Sequence, residues 1–231
     1  MPATPQPRLF MFDAYGTLFD VHSAVLRAGA PLGTKASDVS ALWRQKQLEY
    51  SWTLTAMGRA EGADFWQLTT EALDWVLARL SMNDPALRMA LLDAYRKLDT
   101  YPDVQPMLMR LRSAGQRTAI FTNGTAAMVE DAIAAARLGN LIDHVLTVEG
   151  TGHFKPHPAV YAHAMRAAGI VNPAAVTFIS SNRWDIAGAK QAKLHSIWIN
   201  RTGQPDEYMA APPDKTIPDL KALDFSAPPK L

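Results

Sequence analysis

Four polar clusters in this chain carry the residue types of a nucleophilic site. Asp13 ends the apolar run Phe10-Met11-Phe12 and is followed at once by Ala14-Tyr15-Gly16-Thr17. Thr122-Asn123-Gly124 closes the run Thr118-Ala119-Ile120-Phe121, and Lys155 precedes Pro156. Ser180-Ser181-Asn182-Arg183-Trp184-Asp185 follows Val176-Thr177-Phe178-Ile179. A carboxylate at the end of a buried strand can bind a metal, hold a proton or act as a nucleophile, and residue type alone leaves all three open. Lys155 could supply the fixed cation that keeps such a carboxylate ionised and aimed. The Thr122-Asn123-Gly124 turn could supply hydroxyl and N–H donors to an oxyanion or a substrate carboxylate. Singly, each cluster reads as an ordinary polar strand end or a solvated lysine. Their order and spacing together point to a site.

The elements that must position these groups follow from periodicity. Short apolar runs over 10–12, 118–121, 145–148, 176–179 and 196–200 alternate with helical patterns at 104–114, 128–137 and 159–168, which predicts a parallel sheet with right-handed crossovers. Ligands of such α/β sheets sit outside the carboxyl ends of the strands. Between 20 and 101 no strand pattern occurs. Phe65, Leu68, Ala72, Leu73, Val76, Leu77 and Leu80 mark one face of a helix capped by Asp64, and Asp84-Pro85 opens another that buries Leu87, Leu91, Ala94 and Leu98. An earlier helix over 39–57 places Arg44 and Leu48 on one face, an arrangement that in isolation reads as a surface salt-bridge position. The expectation is an α/β chain with a Rossmann-like parallel core over 1–19 and 102–231 and an inserted helical module over 20–101. The proline-punctuated end carries one short helix at 219–223 and then a tail.

Composition narrows the classes. A net charge of +1 without a basic run argues against a nucleic-acid partner, and no stretch approaches a membrane span. With no cysteine there is neither disulfide framework nor thiol nucleophile. Residues 1–8 hold three prolines and no apolar signal segment, so a cytoplasmic protein with a loose N-terminal lead is expected. His22, His144, His153, His157, His163 and His195 show no metal-ligand spacing and are read as surface or structural.

The four clusters, in this order, resemble the motifs of the haloacid dehalogenase superfamily, and the 20–101 insertion resembles its cap. Most members are magnesium phosphatases with a second Asp two residues after the nucleophile and a Gly-Asp pair after the fourth strand. Here Tyr15 and Ser180-Ser181 occupy those places. The substituted pattern is instead similar to the L-2-haloacid dehalogenases, whose signatures stand here as Asp-Ala-Tyr-Gly-Thr-Leu-Phe-Asp (13–20), Leu-Trp-Arg-Gln-Lys-Gln-Leu-Glu-Tyr (42–50), Lys-Pro-x-Pro-x-x-Tyr (155–161) and Ser-Ser-Asn-x-Trp-Asp (180–185). One departure is Thr122, where that family usually has Ser; the added methyl bears on substrate size.

The resemblance implies an Asp13 nucleophile oriented by Lys155, with Thr17 and Ser180 hydrogen-bonding the carboxylate or the lysine. It further implies Arg44 and Asn123 at the leaving halide, Thr122 at the substrate carboxylate, and Asn182 with Asp185 at the hydrolytic water. Tyr15, Gln45, Leu48, Phe65 and Trp184 would line the pocket, and Tyr161, counted with them as substrate-binding, would hydrogen-bond into the site. A small 2-haloacid substrate, no metal or other cofactor, and a homodimer formed through apolar cap helices are expected. Rival readings are a magnesium phosphatase, a hydrolase of a strained-ring amino acid using the same Asp, and a non-catalytic binding protein on this fold.

Overall fold

The computed structural model describes residues 8–225; the expected N-terminal lead and the final tail residues lie outside that range. Six strands form one parallel sheet: β1 Leu9–Phe12, β2 Arg117–Thr122, β3 His144–Thr147, β4 Val176–Ser180, β5 His195–Ile199 and β6 Lys215–Ile217, in the order β3-β2-β1-β4-β5-β6. All four residues of β1 and all five of β4 are buried, which is why they read as unbroken apolar runs rather than alternating ones. The chain passes from β1 to one side through β2 and β3, then returns to the other side of β1 with β4. That reversal makes the β1/β4 edge the topological switch point, the usual ligand crevice of such sheets.

Register decides what meets there. Phe12 pairs with Ile120 and with Ile179, so Asp13 emerges level with Phe121 and Ser180. The Asp13 N–H still donates to Ile179 O at 2.9 Å, and Gly16, at φ +87°, turns the chain away in a conformation costly for other residues.

Before α5 (Val104–Ser113) lie α1 Ser23–Ala28, α2 Ala36–Ala56, α3 Phe65–Arg79 and α4 Pro85–Arg96. Asp64 caps α3 by accepting from Trp66 N–H, and Asp84 caps α4 by accepting from Ala86 and Leu87 N–H with Pro85 at its first position, as the sequence predicts. α2 packs on α3, and α1 packs on α4. The helices α6 Ala126–Ala135, α7 Pro158–Ala167 and α8 Arg183–Gln191 complete the crossovers. Four elements differ from expectation. The strand β6 has three residues bounded by prolines, too short for a period-2 signal. α1 and the 3-10 turn Ala30–Lys35 lie where periodicity is weak. The short helix predicted at 219–223 is a 3-10 turn, Leu220–Ala222, capped by Asp219. No helix among the described residues is long and apolar enough to cross a membrane.

Candidate active site

Asp13 is held unequally at its two oxygens. Oδ2 accepts from Thr17 Oγ1 at 2.9 Å, Asn182 Nδ2 at 2.7 Å and Ser180 Oγ at 3.4 Å. Oδ1 accepts from Lys155 Nζ at 3.3 Å. Thr17 is itself fixed, since its hydroxyl accepts from Ser181 N–H at 2.9 Å while donating to Asp13. Asn182 gives its second amide hydrogen to Tyr15 O at 3.0 Å. Both amide hydrogens of Asn182 are thus engaged by the Asp13 turn.

Lys155 is wholly buried. A buried ammonium is tolerable only when paired and hydrogen-bonded, and this one donates to Asp185 Oδ2 at 2.9 Å and Phe121 O at 2.7 Å besides Asp13. The faces of Phe121 and Phe178, at 4.1 and 5.1 Å, complete its shell. Its backbone N–H donates to Asn123 Oδ1 at 2.9 Å, tying the lysine loop to the end of β2. Asp185 has no exposed surface, and Tyr161 donates its hydroxyl to Asp185 Oδ1. Burial pushes the Asp185 carboxyl from 3.8 up to about 6, against the opposing pull of Lys155. Burial and the neighbouring Asp185 charge hold the Tyr161 phenol well above its ordinary range.

Asp13, Tyr15, Arg44, Leu48, Phe65, Thr122, Asn123, Lys155 and Trp184 enclose a cavity of about 10 Å³, the room of roughly one ordered water. Arg44 comes from α2 and donates to Tyr15 O at 3.1 Å. Leu48, one turn on, lines the same space, as their shared helix face requires. The Tyr15 ring stacks on Tyr95 with centroids 5.8 Å apart. Gly124 is needed beneath it, because a Cβ there would lie 2.7 Å from Tyr15 Cε2.

Two expected pocket residues are placed elsewhere. Gln45 is exposed and absent from the cavity wall, because one residue past Arg44 the helix has turned about 100° away from it. Tyr161 is fully buried and bonds Asp185 rather than facing the cavity. Two unexpected residues support the site. Tyr95 stacks on Tyr15 and donates to Gln47 Oε1 at 3.2 Å, and buried Gln47 donates to Thr69 Oγ1 at 2.9 Å. Tyr95 lies four residues after Leu91 on the buried face of α4, a signal present in the sequence; buried Gln47 has no such signal. Among the described residues, no group of three or more His, Asp or Glu is disposed to hold a metal ion. Position 181 offers a serine where a magnesium site of the superfamily's kind would have a carboxylate, and Lys155 already pairs with both Asp13 and Asp185.

The sequence matches the haloacid dehalogenase-like hydrolase family over residues 7–193. It is 44% identical over 217 residues to (S)-2-haloacid dehalogenase 4A of Burkholderia cepacia, covering 94% of this chain and 93% of that one. The fold is similar to a crystal structure of a dehalogenase with intermediate complex, at a TM-score of 0.90 and 42% identity over 94% of this chain and 96% of that one. It is also similar to L-2-haloacid dehalogenase from Xanthobacter autotrophicus with chloropropionic acid covalently bound, at a TM-score of 0.84 and 34% identity over 93% of this chain and 96% of that one. With a cation-held aspartate at the sheet's switch point and this likeness along nearly its whole length, the chain belongs to the haloacid dehalogenase-like hydrolase family, beside its (S)-2-haloacid dehalogenases.

Proposed function

We propose that this protein hydrolyses L-2-haloalkanoic acids to D-2-hydroxy acids through an aspartyl ester. The observation that carries the reading is the unequal coordination of Asp13. Three donors hold Oδ2, whereas Oδ1 meets only the ammonium of Lys155, at 3.3 Å. The less hydrogen-bonded oxygen keeps a lone pair for attack, so Oδ1 is the nucleophile. It bonds to C2 from the face opposite the halogen, and the C–halogen electron pair leaves with the halide.

Halide needs no proton to leave, so a carboxylic acid at position 15 is dispensable. It does need positive charge as the bond breaks. Arg44, on the cavity wall with Asn123, supports that role, with the 20–101 helices acting as the cap that delivers it. Thr122 holds the substrate carboxylate, and Tyr15, Leu48, Phe65 and Trp184 enclose its carbon chain.

In the second half-reaction water attacks Cγ of the Asp13 ester and gives a proton to Asp185, whose raised pKa suits it to receive one. The tetrahedral centre then collapses. The Cγ–Oδ1 bond breaks, the departing alkoxide takes the proton left on the water-derived oxygen, Asp185 releases the other to solvent, and Asp13 is restored as a carboxylate with one oxygen from water. C2 is inverted once, in the first step. Each group named is a side chain of this chain, and the mechanism uses no metal.

The test is chloride release from L- and D-2-chloropropionate in the presence of chelator, with the product's configuration determined. D-lactate from the L-substrate is expected, and no halide from either enantiomer would overturn the reading. Single turnover in ¹⁸O-water should place label in Asp13 before it reaches later products.

A further inference from the structure

Beside the catalytic cavity lies an open groove of about 560 Å³, whose walls include Trp52, Thr55, Phe154, Trp184, Gly188 and Tyr208. Three observations join the two spaces. Trp184 lines both. Lys155 lines the cavity while its chain neighbours Phe154 and Pro156 line the groove, so the lysine loop is the wall between them. On α2, Arg44 and Leu48 face the cavity and Trp52 and Thr55 face the groove; at spacings of four, four and three residues these form one continuous helix stripe. The junction is fixed by a hydrogen bond from Phe154 N–H to Thr55 Oγ1 at 2.9 Å, and by the Trp52 ring standing edge-on to Trp184 with centroids 5.4 Å apart.

The spaces differ in charge. Arg44, Lys155, Asp13 and the Thr122-Asn123 turn belong to the cavity, two cations to one carboxylate, whereas no Asp, Glu, Lys or Arg lines the groove. His157 and Tyr208 are the titratable groups of the groove. Burial and the neighbouring His153 hold His157 below the ordinary histidine range, and burial raises the Tyr208 phenol, so both are neutral near pH 7. An anionic head is therefore favoured on one side of Trp184 and an uncharged hydrocarbon on the other.

Resting on the dehalogenase reading above, we infer that the groove is the subsite for the alkyl tail of longer 2-haloalkanoates, with Trp52 and Ala187 setting how much of that tail is buried. The head binds at Asp13, and carbons beyond the first few pass Trp184 onto the Trp52–Phe154 surface. The groove is large enough to receive such a tail.

The test measures kcat/KM of the full chain for the L-enantiomers of 2-chloropropionate and 2-chlorohexanoate, alongside Ala187→Phe, which fills the groove, and Trp52→Asp, which places a charge at an exposed position of its wall. Burial of the added methylenes should favour the six-carbon acid by at least about tenfold in the unmodified chain. Each variant should lose about tenfold on that acid while its value for 2-chloropropionate stays within twofold, which also reports an intact fold. A flat or falling chain-length series in the unmodified chain, or a parallel loss on both substrates in both variants, overturns the subsite. A variant that changes the sedimentation coefficient with chain-length preference intact assigns the groove to contact between copies and overturns it too. No halide from 2-chloropropionate with the unmodified chain is a different result, since it removes the dehalogenase reading itself and the subsite with it.

Discussion

Lys155 Nζ lies 2.9 Å from Asp185 Oδ2 but 3.3 Å from Asp13 Oδ1, so the cation is held more closely by the supporting carboxylate than by the one assigned to attack. Asp185 thereby anchors the ammonium, and Asp13 keeps an oxygen only lightly engaged. Replacing Asp185 by Asn preserves the shape and removes the charge. We expect a kcat loss of about 10²- to 10⁴-fold, the usual range for losing a positioned proton acceptor, measured by chloride release.

The same residue fixes the pH response. With its folded value raised from 3.8 to about 6, Asp185 becomes the active carboxylate as pH climbs through about 6, and turnover should rise across that interval. Stability should move the other way. Between about pH 4 and 6 the folded chain binds more protons at this group than the unfolded chain, so its contribution to stability falls as pH rises. Urea midpoints across this range should show that component, and Asp185→Asn should lose it.

Arg44 spends one donor on Tyr15 O and carries the rest of its guanidinium on the cavity wall. A lysine there is a point charge without the planar fork. Arg44→Lys should lower kcat by roughly 10²-fold, the scale seen when one preorganised donor is removed, with the larger deficit on the chloride-release step in burst kinetics.

Gly124 is required by proximity rather than by dihedral angle. The added Cβ of Gly124→Ala would meet the Tyr15 ring at 2.7 Å, and that ring is buried and backed by Tyr95, leaving little room to retreat. The expected cost is about 1–3 kcal/mol of stability, in the range for overpacking, with a fall in kcat/KM. Denaturation midpoints and kinetics check the two together.

Thr17 both donates to Asp13 and accepts from Ser181 N–H. Thr17→Val keeps the shape and loses both bonds, leaving buried partners unsatisfied at about 1–3 kcal/mol. Thr17→Ser should retain most activity, and the contrast between the two variants in stability and kcat isolates the hydroxyl.

The sheet was legible because β1 and β4 are buried on both faces and therefore appear as bare apolar runs with polar ends. Asp13, Thr17, Ser180 and Asn182 were legible for the same reason, since they follow where those runs stop; Lys155 lies in a loop and was legible only by its order among the clusters, and all five meet in hydrogen bonds. The helices over 20–101 were harder. Arg44 and Leu48 could be placed together from helix spacing, but Gln45 and Gln47 differ only in which way a helix of mixed polarity is rotated, and α2 has no strong apolar stripe to set that rotation. Gln47 is buried because Thr69 and Tyr95 are there to satisfy its amide, a fact of tertiary packing. Tyr161 was found by spacing, but its partner was not, since only the packing of α7 against α8 shows that it meets Asp185.

The strand order has a consequence for how the chain acquires its activity. Asp13 meets Lys155 across 142 positions and Asn182 across 169. Contacts so distant in sequence form only after most of the chain's loop entropy has been surrendered, which makes them late events in folding. In refolding from urea, helical signal should therefore return well before the first molecule of chloride is released, and the delay between the two would time the closure of β4 against β1.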